Sequence, residues 1–69
     1  MTRFFVTPEV LINDELMLTG ENAAHAKVLR LKAGENVLVC DGVGHECLCE
    51  IINAADLHLR VINRHHSTS

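Results

Sequence analysis

The apolar residues of this chain change their period once, at Asn36, and that change limits the fold more than any other feature of the sequence. Upstream, Glu21 to Leu31 is a run of good helix formers, Ala and Leu foremost. Glu21 near its start and Lys27, Arg30 and Lys32 near its end complement the helix macrodipole. Downstream, the period is two, and Asn36 to Cys40, Glu46 to Ile52 and Leu57 to Ile62 read as strands. Asp41-Gly42-Val43-Gly44 and Asn53-Ala54-Ala55-Asp56 are the turns between them, the first closing a hairpin. In the last strand Leu57, Leu59 and Val61 share one face, and His58 and Arg60 the other. Two shorter β-prone runs precede the helix: Arg3 to Val6, stopped by Thr7-Pro8, and Leu16 to Leu18. Between them residues 9–15 read as a loop with a small apolar patch, Val10-Leu11-Ile12.

The element order is therefore β-β-α-β-β-β. One helix cannot cover a doubly wound sheet. The expected fold is mainly β: a small, partly closed antiparallel β-barrel with one α-helix plugging an end, closure protecting the strand edges. The barrel is expected over 1–63. Arg64-His65-His66-Ser67-Thr68-Ser69 has no pattern, so 64–69 reads as a disordered tail or the start of a linker. At about 100° per residue, Ala24, Val28 and Leu31 form the helix stripe expected to face the core, with Leu29 and His25 on its flank. Ala23, Ala26, Lys27 and Arg30 then face solvent. Thr19 is expected to cap the helix with its hydroxyl, and Gly34 to take the left-handed conformation at the exit.

With 69 residues the chain is one domain at most, and its core is thin. A small-molecule pocket needs more wall than this chain supplies, so a binding module, or one piece of a larger enzyme, is the working expectation. The longest apolar run, Val37-Leu38-Val39-Cys40, is far short of the ~20 residues of a membrane span. The N-terminus lacks the apolar core of a secretory signal. Three cysteines, an odd number, fit free thiols in a reducing compartment better than a disulfide framework. These features point to the cytoplasm and to no membrane partner. The net charge of −3 counts against a generic nucleic-acid coat, yet leaves room for a local basic patch.

That patch is the helix side with Lys27 and Arg30. Ala23 and Ala26 beside them would let a bulky polyanion approach, Arg gripping a phosphate with its fork and Lys acting as a point charge. Arg3 and Lys32 join if the first strand lies beside the helix. The plainer reading is a solvated helix face. His25 reads either as a half-buried histidine or as a contact to RNA or a neighbouring domain. No nucleophile or orienting carboxylate stands at a spacing that would make it a general base. Cys40, His45, Cys47 and Cys49 raise the question of zinc, with Cys40 opposite His45 in the hairpin. A C-x-C pair on a flat strand spreads its sulfurs poorly for a tetrahedral site, and the thiols read as small buried hydrophobes. His65-His66 carries no metal pattern. There is no phosphate loop, no H-E-x-x-H and no paired-carboxylate geometry. No catalytic and no metal-binding residue is assigned.

An ordered set of segments carries a further signal. Arg3-Phe4-Phe5 near the start is followed by Leu18-Thr19-Gly20-Glu21, Val28-Leu29-Arg30-Leu31-Lys32-Ala33-Gly34-Glu35, Val37-Leu38-Val39-Cys40-Asp41-Gly42 and Glu50-Ile51. Together, from about Arg3 to Ile62, they resemble the N-terminal domain of the RsmE family of 16S rRNA uracil-N3 methyltransferases. The resemblance implies a PUA-like barrel that binds rRNA. It further implies a following knotted SPOUT-type domain, which holds S-adenosylmethionine, performs the methyl transfer and forms a homodimer. None of that second domain lies in this sequence, so no cofactor is expected here and the fragment alone should not methylate. By motif, Arg3 falls at the family's N-terminal start and Arg30 ends the matching tripeptide Val28-Leu29-Arg30. These two, then Lys27 and Lys32, are the expected RNA contacts. The family places a histidine six residues before the motif arginine. Here that position is Ala24 and His25 follows it, a rotation of about 100° on a helix.

The expected function is thus an rRNA-binding domain that positions small-subunit 16S rRNA for a separate catalytic domain. The alternative is a structural or docking module that packs on its catalytic domain or a partner subunit without touching RNA. With two Phe and no Trp or Tyr, base stacking is not expected to dominate.

Overall fold

A computed structural model describes residues 2–66. The elements are β1 (Arg3–Phe5), a 3-10 helix (Pro8–Ile12), β2 (Glu15–Met17), α1 (Gly20–Val28), β3 (Asn36–Cys40), β4 (His45–Asn53) and β5 (His58–His66). The order anticipated from the pattern, β-β-α-β-β-β, is the order found. All five strands form one curled sheet in the order β1-β3-β4-β5-β2, a mainly β, half-barrel architecture with a single helix.

One pairing departs from the antiparallel expectation. β1 lies parallel to β3, with Arg3 opposite Leu38 and Phe5 opposite Cys40. The β2–α1 segment is the crossover that a parallel pair requires. The other pairs are antiparallel. In the β3–β4 hairpin Cys40 lies opposite Glu46 rather than His45. The Asp41 carboxylate shapes this turn, accepting from the Val43 and His45 N–H groups at 2.8 and 3.1 Å and contacting His45 Nδ1 at 2.7 Å. Desolvation pushes the Asp41 pKa up, but the hydrogen bonds from Val43 and His45 outweigh it and hold it below its ordinary value. In the β4–β5 turn Asn53 Oδ1 accepts from the Ala55 and Asp56 N–H groups, a side-chain mimic of a backbone turn. Register shifts at Leu48/Cys49 and Ile51/Asn53 bend the long strands. Such irregularities increase local twist and curl a sheet around its own inner face.

That inner face is the core. Phe4, Val37, Val39, Cys47, Cys49, Ile51, Leu57 and Leu59 line it, and Leu11, Leu16, Leu18 and Ala26 cover it. Leu57 and Leu59 are buried and Val61 packs against them, as the alternation anticipated. Residues 9–15 are not simply a loop. Pro8 begins a 3-10 helix whose Leu11 is buried; its fixed φ suits the first position of a helix. Nor does order end at residue 63. Arg64, His65 and His66 continue β5 opposite Cys47, Glu46 and His45; residues 67–69 of the anticipated tail lie outside the described residues. Arg64 replaces the expected frayed end with a clamp. Its guanidinium donates to the Leu11 and Asn13 carbonyls and faces Asp14 at 3.3 Å, tying β5 to the 3-10 segment.

The helix presents the opposite face to the one its apolar stripe suggested. Ala26 is buried and Ala23 half-buried, whereas Ala24 and Val28 are exposed. The physical reason is size. The helix backbone can lie close to the sheet only where its side chains are small, and alanine on both faces leaves a weak periodic signal. Of the anticipated stripe only Leu31, past the helix end, packs against the core. Asn22 Nδ2 donates to the Phe5 carbonyl at 2.7 Å, and the His25 ring meets the Phe4 ring edge-on at 5.6 Å. These two contacts hold α1 beside β1. Thr19 stands at the N-cap in extended geometry, but its hydroxyl makes no capping bond.

Candidate functional site

Three of the six Lys and Arg residues are matched to carboxylates. Arg3 lies 3.8 Å from Glu46, Arg60 3.1 Å from Glu50 and Arg64 3.3 Å from Asp14. The other three, Lys27, Arg30 and Lys32, cluster at the C-terminal end of α1. Among the described residues none of their side chains makes an ion pair. The nearest acid by hydrogen bonding is Glu35, whose carboxylate accepts from the Lys32 backbone N–H at 2.6 Å. A chain of net charge −3 therefore concentrates its unpaired positive charge at one corner.

The backbone at that corner explains why the cations project as they do. The helix closes with two bonds beyond its last turn. Arg30 N–H donates to the Lys27 carbonyl at 3.1 Å and Leu31 N–H to the Ala26 carbonyl at 3.4 Å. This is the Schellman arrangement, in which the residue after the C-cap takes the left-handed conformation. Glycine usually fills that place, but here it is Arg30, with φ of 55°. The expected left-handed exit at Gly34 is real as a conformation, φ 93°, but serves the next turn, where Gly34 N–H donates to the Ile51 carbonyl. A left-handed non-glycine residue costs about 1–2 kcal/mol. An arginine held there is a local sacrifice of stability, a pattern common at functional positions. Arg30→Gly is accordingly expected to stabilise the chain by about 0.5–1 kcal/mol after glycine's larger unfolded-state entropy is subtracted. A urea titration reads this as a higher midpoint at unchanged slope; a lower midpoint contradicts the strain argument.

The remaining sequence candidates separate. Arg3 stands on β1, its exposed side chain engaged with Glu46 rather than left unpaired like the three α1-end cations. His25 is exposed on α1, against Phe4 rather than half-buried and hydrogen-bonded. Cys40, Cys47 and Cys49 are buried free thiols, and His45 turns to Asp41. Burial pushes all three thiols up, Cys49 to about 11, which keeps them protonated near neutrality. Val28 and Leu29, expected on the inward stripe and its flank, are exposed on the same last turn as Lys27.

Two concavities lie elsewhere among the described residues. One, of about 320 Å³, lies between the 3-10 helix and the β3–β4 turn, with Leu11 and Ile12 on one side and Asp41, His45 and Arg64 on the other. The second, of about 310 Å³, lies near the start of α1 and includes Phe5, Met17, Thr19 and Asn22. Sequence reasoning missed Arg64 and did not single out Phe5. Strand alternation held the signal for the latter: with Phe4 inward, Phe5 must point out.

Among the described residues no helix is long and apolar enough to cross a membrane. The family model for the RNA methyltransferase PUA domain matches residues 18–62. No curated protein sequence matches. Among solved structures, a predicted RNA methyltransferase from Thermotoga maritima superposes with a TM-score of 0.79 at 21% identity, over 100% of this chain and 32% of that one. The present chain thus spans about a third of the length of that protein, and the likeness is one of fold.

Proposed function

We propose, from the premise that this chain belongs to the family of PUA domains of RNA methyltransferases, that it binds rRNA through the C-terminal corner of α1. In this reading Lys27, Arg30 and Lys32 hold phosphates, with Arg3 and His25 at the margin. The domain positions small-subunit 16S rRNA so that a SAM-dependent, SPOUT-type domain outside this sequence methylates N3 of a uracil. The family is then that of RsmE, the working form a cytoplasmic homodimer joined through the catalytic domain, and the process ribosome biogenesis. S-adenosylmethionine belongs to the catalytic domain, and no residue of this chain is assigned to it.

The observation that carries this reading is the segregation of charge. Arg3, Arg60 and Arg64 are matched to acids, while the three α1-end cations are not. A structural patch gains nothing from leaving like charges together; a phosphate-binding one does. With about three phosphate contacts, affinity for a 16S rRNA fragment is expected to fall with salt at a shallow logarithmic slope of about −2 to −3. The Lys27→Ala/Arg30→Ala double variant is expected to bind about tenfold more weakly and to lose about two from that slope. Fluorescence anisotropy across a salt series measures both. An unchanged slope overturns the assignment.

A second reading has its own observation. Val28 is 78% exposed on the same turn, an apolar side chain suited to docking on a catalytic domain or partner subunit. Under that reading the double variant leaves RNA affinity intact, and Val28→Asp disturbs domain assembly in the full-length enzyme.

A further inference from the structure

The curled sheet has two outer edges, and they belong to its two shortest strands. β1 pairs with β3, and β2 with β5; no pairing joins β1 to β2 among the described residues. Phe5 and Met17, the last residues of these two edge strands, border the 310 Å³ cleft, with Thr7, Val10, Thr19 and Asn22 around them. Phe5 is 60% exposed and Met17 55%. The core does not require this: Phe4, its neighbour, already fills the inner face. Among large apolar side chains an exposed ring is the least expected on a chain that has only two.

The polar groups around that ring are only partly used. Thr19 occupies the N-cap without making a capping bond, so its hydroxyl serves no helix donor. Asn22 spends its amide N–H on the Phe5 carbonyl; its Oδ1 accepts no hydrogen bond among the described residues. A ring face, a thioether, an amide oxygen and a hydroxyl in one concavity match the needs of an unstacked nucleobase. Its face stacks, and its edge takes hydrogen bonds. The helix links this cleft to the cation cluster. Lys27 and Arg30 follow Asn22 by five and eight residues, about 7–12 Å along the axis, a span of about one or two nucleotides of an extended strand. Glu21, exposed beside Asn22, opposes a phosphate at the cleft end and favours one at the other.

We propose that the β1–β2 seam is a nucleobase pocket: an unpaired base of the bound RNA stacks on Phe5 and is met at its edge by Asn22 and Thr19, while neighbouring phosphates reach Lys27 and Arg30. The proposal rests on the RNA reading above and adds to it single-stranded RNA as the ligand class and a residue that contacts a base.

The chain has no Trp or Tyr, so Phe5→Trp places a single reporter at the seam. Titration with a ten-nucleotide single-stranded RNA is expected to quench it, and an abasic oligomer of equal length is not. Phe5→Ala is expected to weaken binding of the single strand about tenfold, to leave the abasic oligomer unaffected, and to keep the thermal midpoint of the unsubstituted chain. Equal affinity of Phe5→Ala and the unsubstituted chain for the single strand overturns the pocket. So does a Trp signal that follows protein concentration without RNA, since a second copy adding a strand at the seam is then the occupant. If Phe5→Ala is neutral while Lys27→Ala/Arg30→Ala loses binding, the pocket fails and the phosphate reading stands. If neither variant changes the affinity of the unsubstituted chain, both fail.

Discussion

Phe4→Ala is expected to leave much of the chain unfolded at room temperature. Phe4 is 1% exposed and is the largest fully buried side chain. β1 is only three residues long and has a single pairing partner, so its place depends on that ring. The same ring meets His25 on α1, so one truncation loosens both the edge strand and the helix beside it. A buried Phe→Ala change costs about 3–5 kcal/mol, and a domain of this size rarely has more than about 3–5 kcal/mol in total. Circular dichroism and urea unfolding measure the loss. A shift below about 1 kcal/mol would mean that β1 is not part of the cooperative core. Phe5→Ala, one residue along on the outer face, is the matched control, with an expected change within about 0.5 kcal/mol.

Alkaline pH is the second strong lever. The Cys49 thiol is fully buried. Desolvation, then the nearby Cys47, pushes it up to about 11, against a smaller downward pull from Arg64. The unfolded chain releases this proton near the ordinary thiol value of about 8.5. The fold holds the proton and the unfolded chain does not, so stability is intact below that value and falls as pH rises through about 11. The loss from this group is about 3 kcal/mol by pH 11. Cys40 and Cys47 shift in the same direction. Urea midpoints from pH 8 to 11 should slope downward, and Cys49→Ala should flatten the profile. Equal slopes for the two proteins would remove Cys49 as the cause.

The β part of the fold was legible because alternation is a strong signal wherever one face is buried. Leu57, Leu59 and Val61 pointed inward, and the Gly42 and Asn53 turns fell where expected. The helix face was not legible. Ala23, Ala24 and Ala26 are apolar on several sides at once, and close approach to the sheet, not hydrophobicity, selected Ala26. The parallel β1–β3 pair escaped because three residues, Arg3 to Phe5, carry no orientation. At the candidate site, Lys27, Arg30 and Lys32 were visible as cations. Their lack of acid partners depends on where Glu46, Glu50 and Asp14 fall in space. The left-handed backbone of Arg30 was hidden because glycine at Gly34 offered a conventional exit. Arg64 looked like a tail because its partners, the carbonyls of Leu11 and Asn13, lie about 50 positions earlier.

The parallel seating of β1 on β3 has a consequence for biogenesis. During synthesis Arg3-Phe4-Phe5 emerges before the segment it pairs with, Leu38 to Cys40, which is about 35 residues behind. Local hairpins close quickly, whereas a contact of this range must first meet the entropy of a long loop. β1 is therefore slower to lock than the β3–β4 hairpin, whose strands adjoin in the chain. Until it locks, the Phe4 ring lacks its cover, which makes β1 a segment a chaperone would meet.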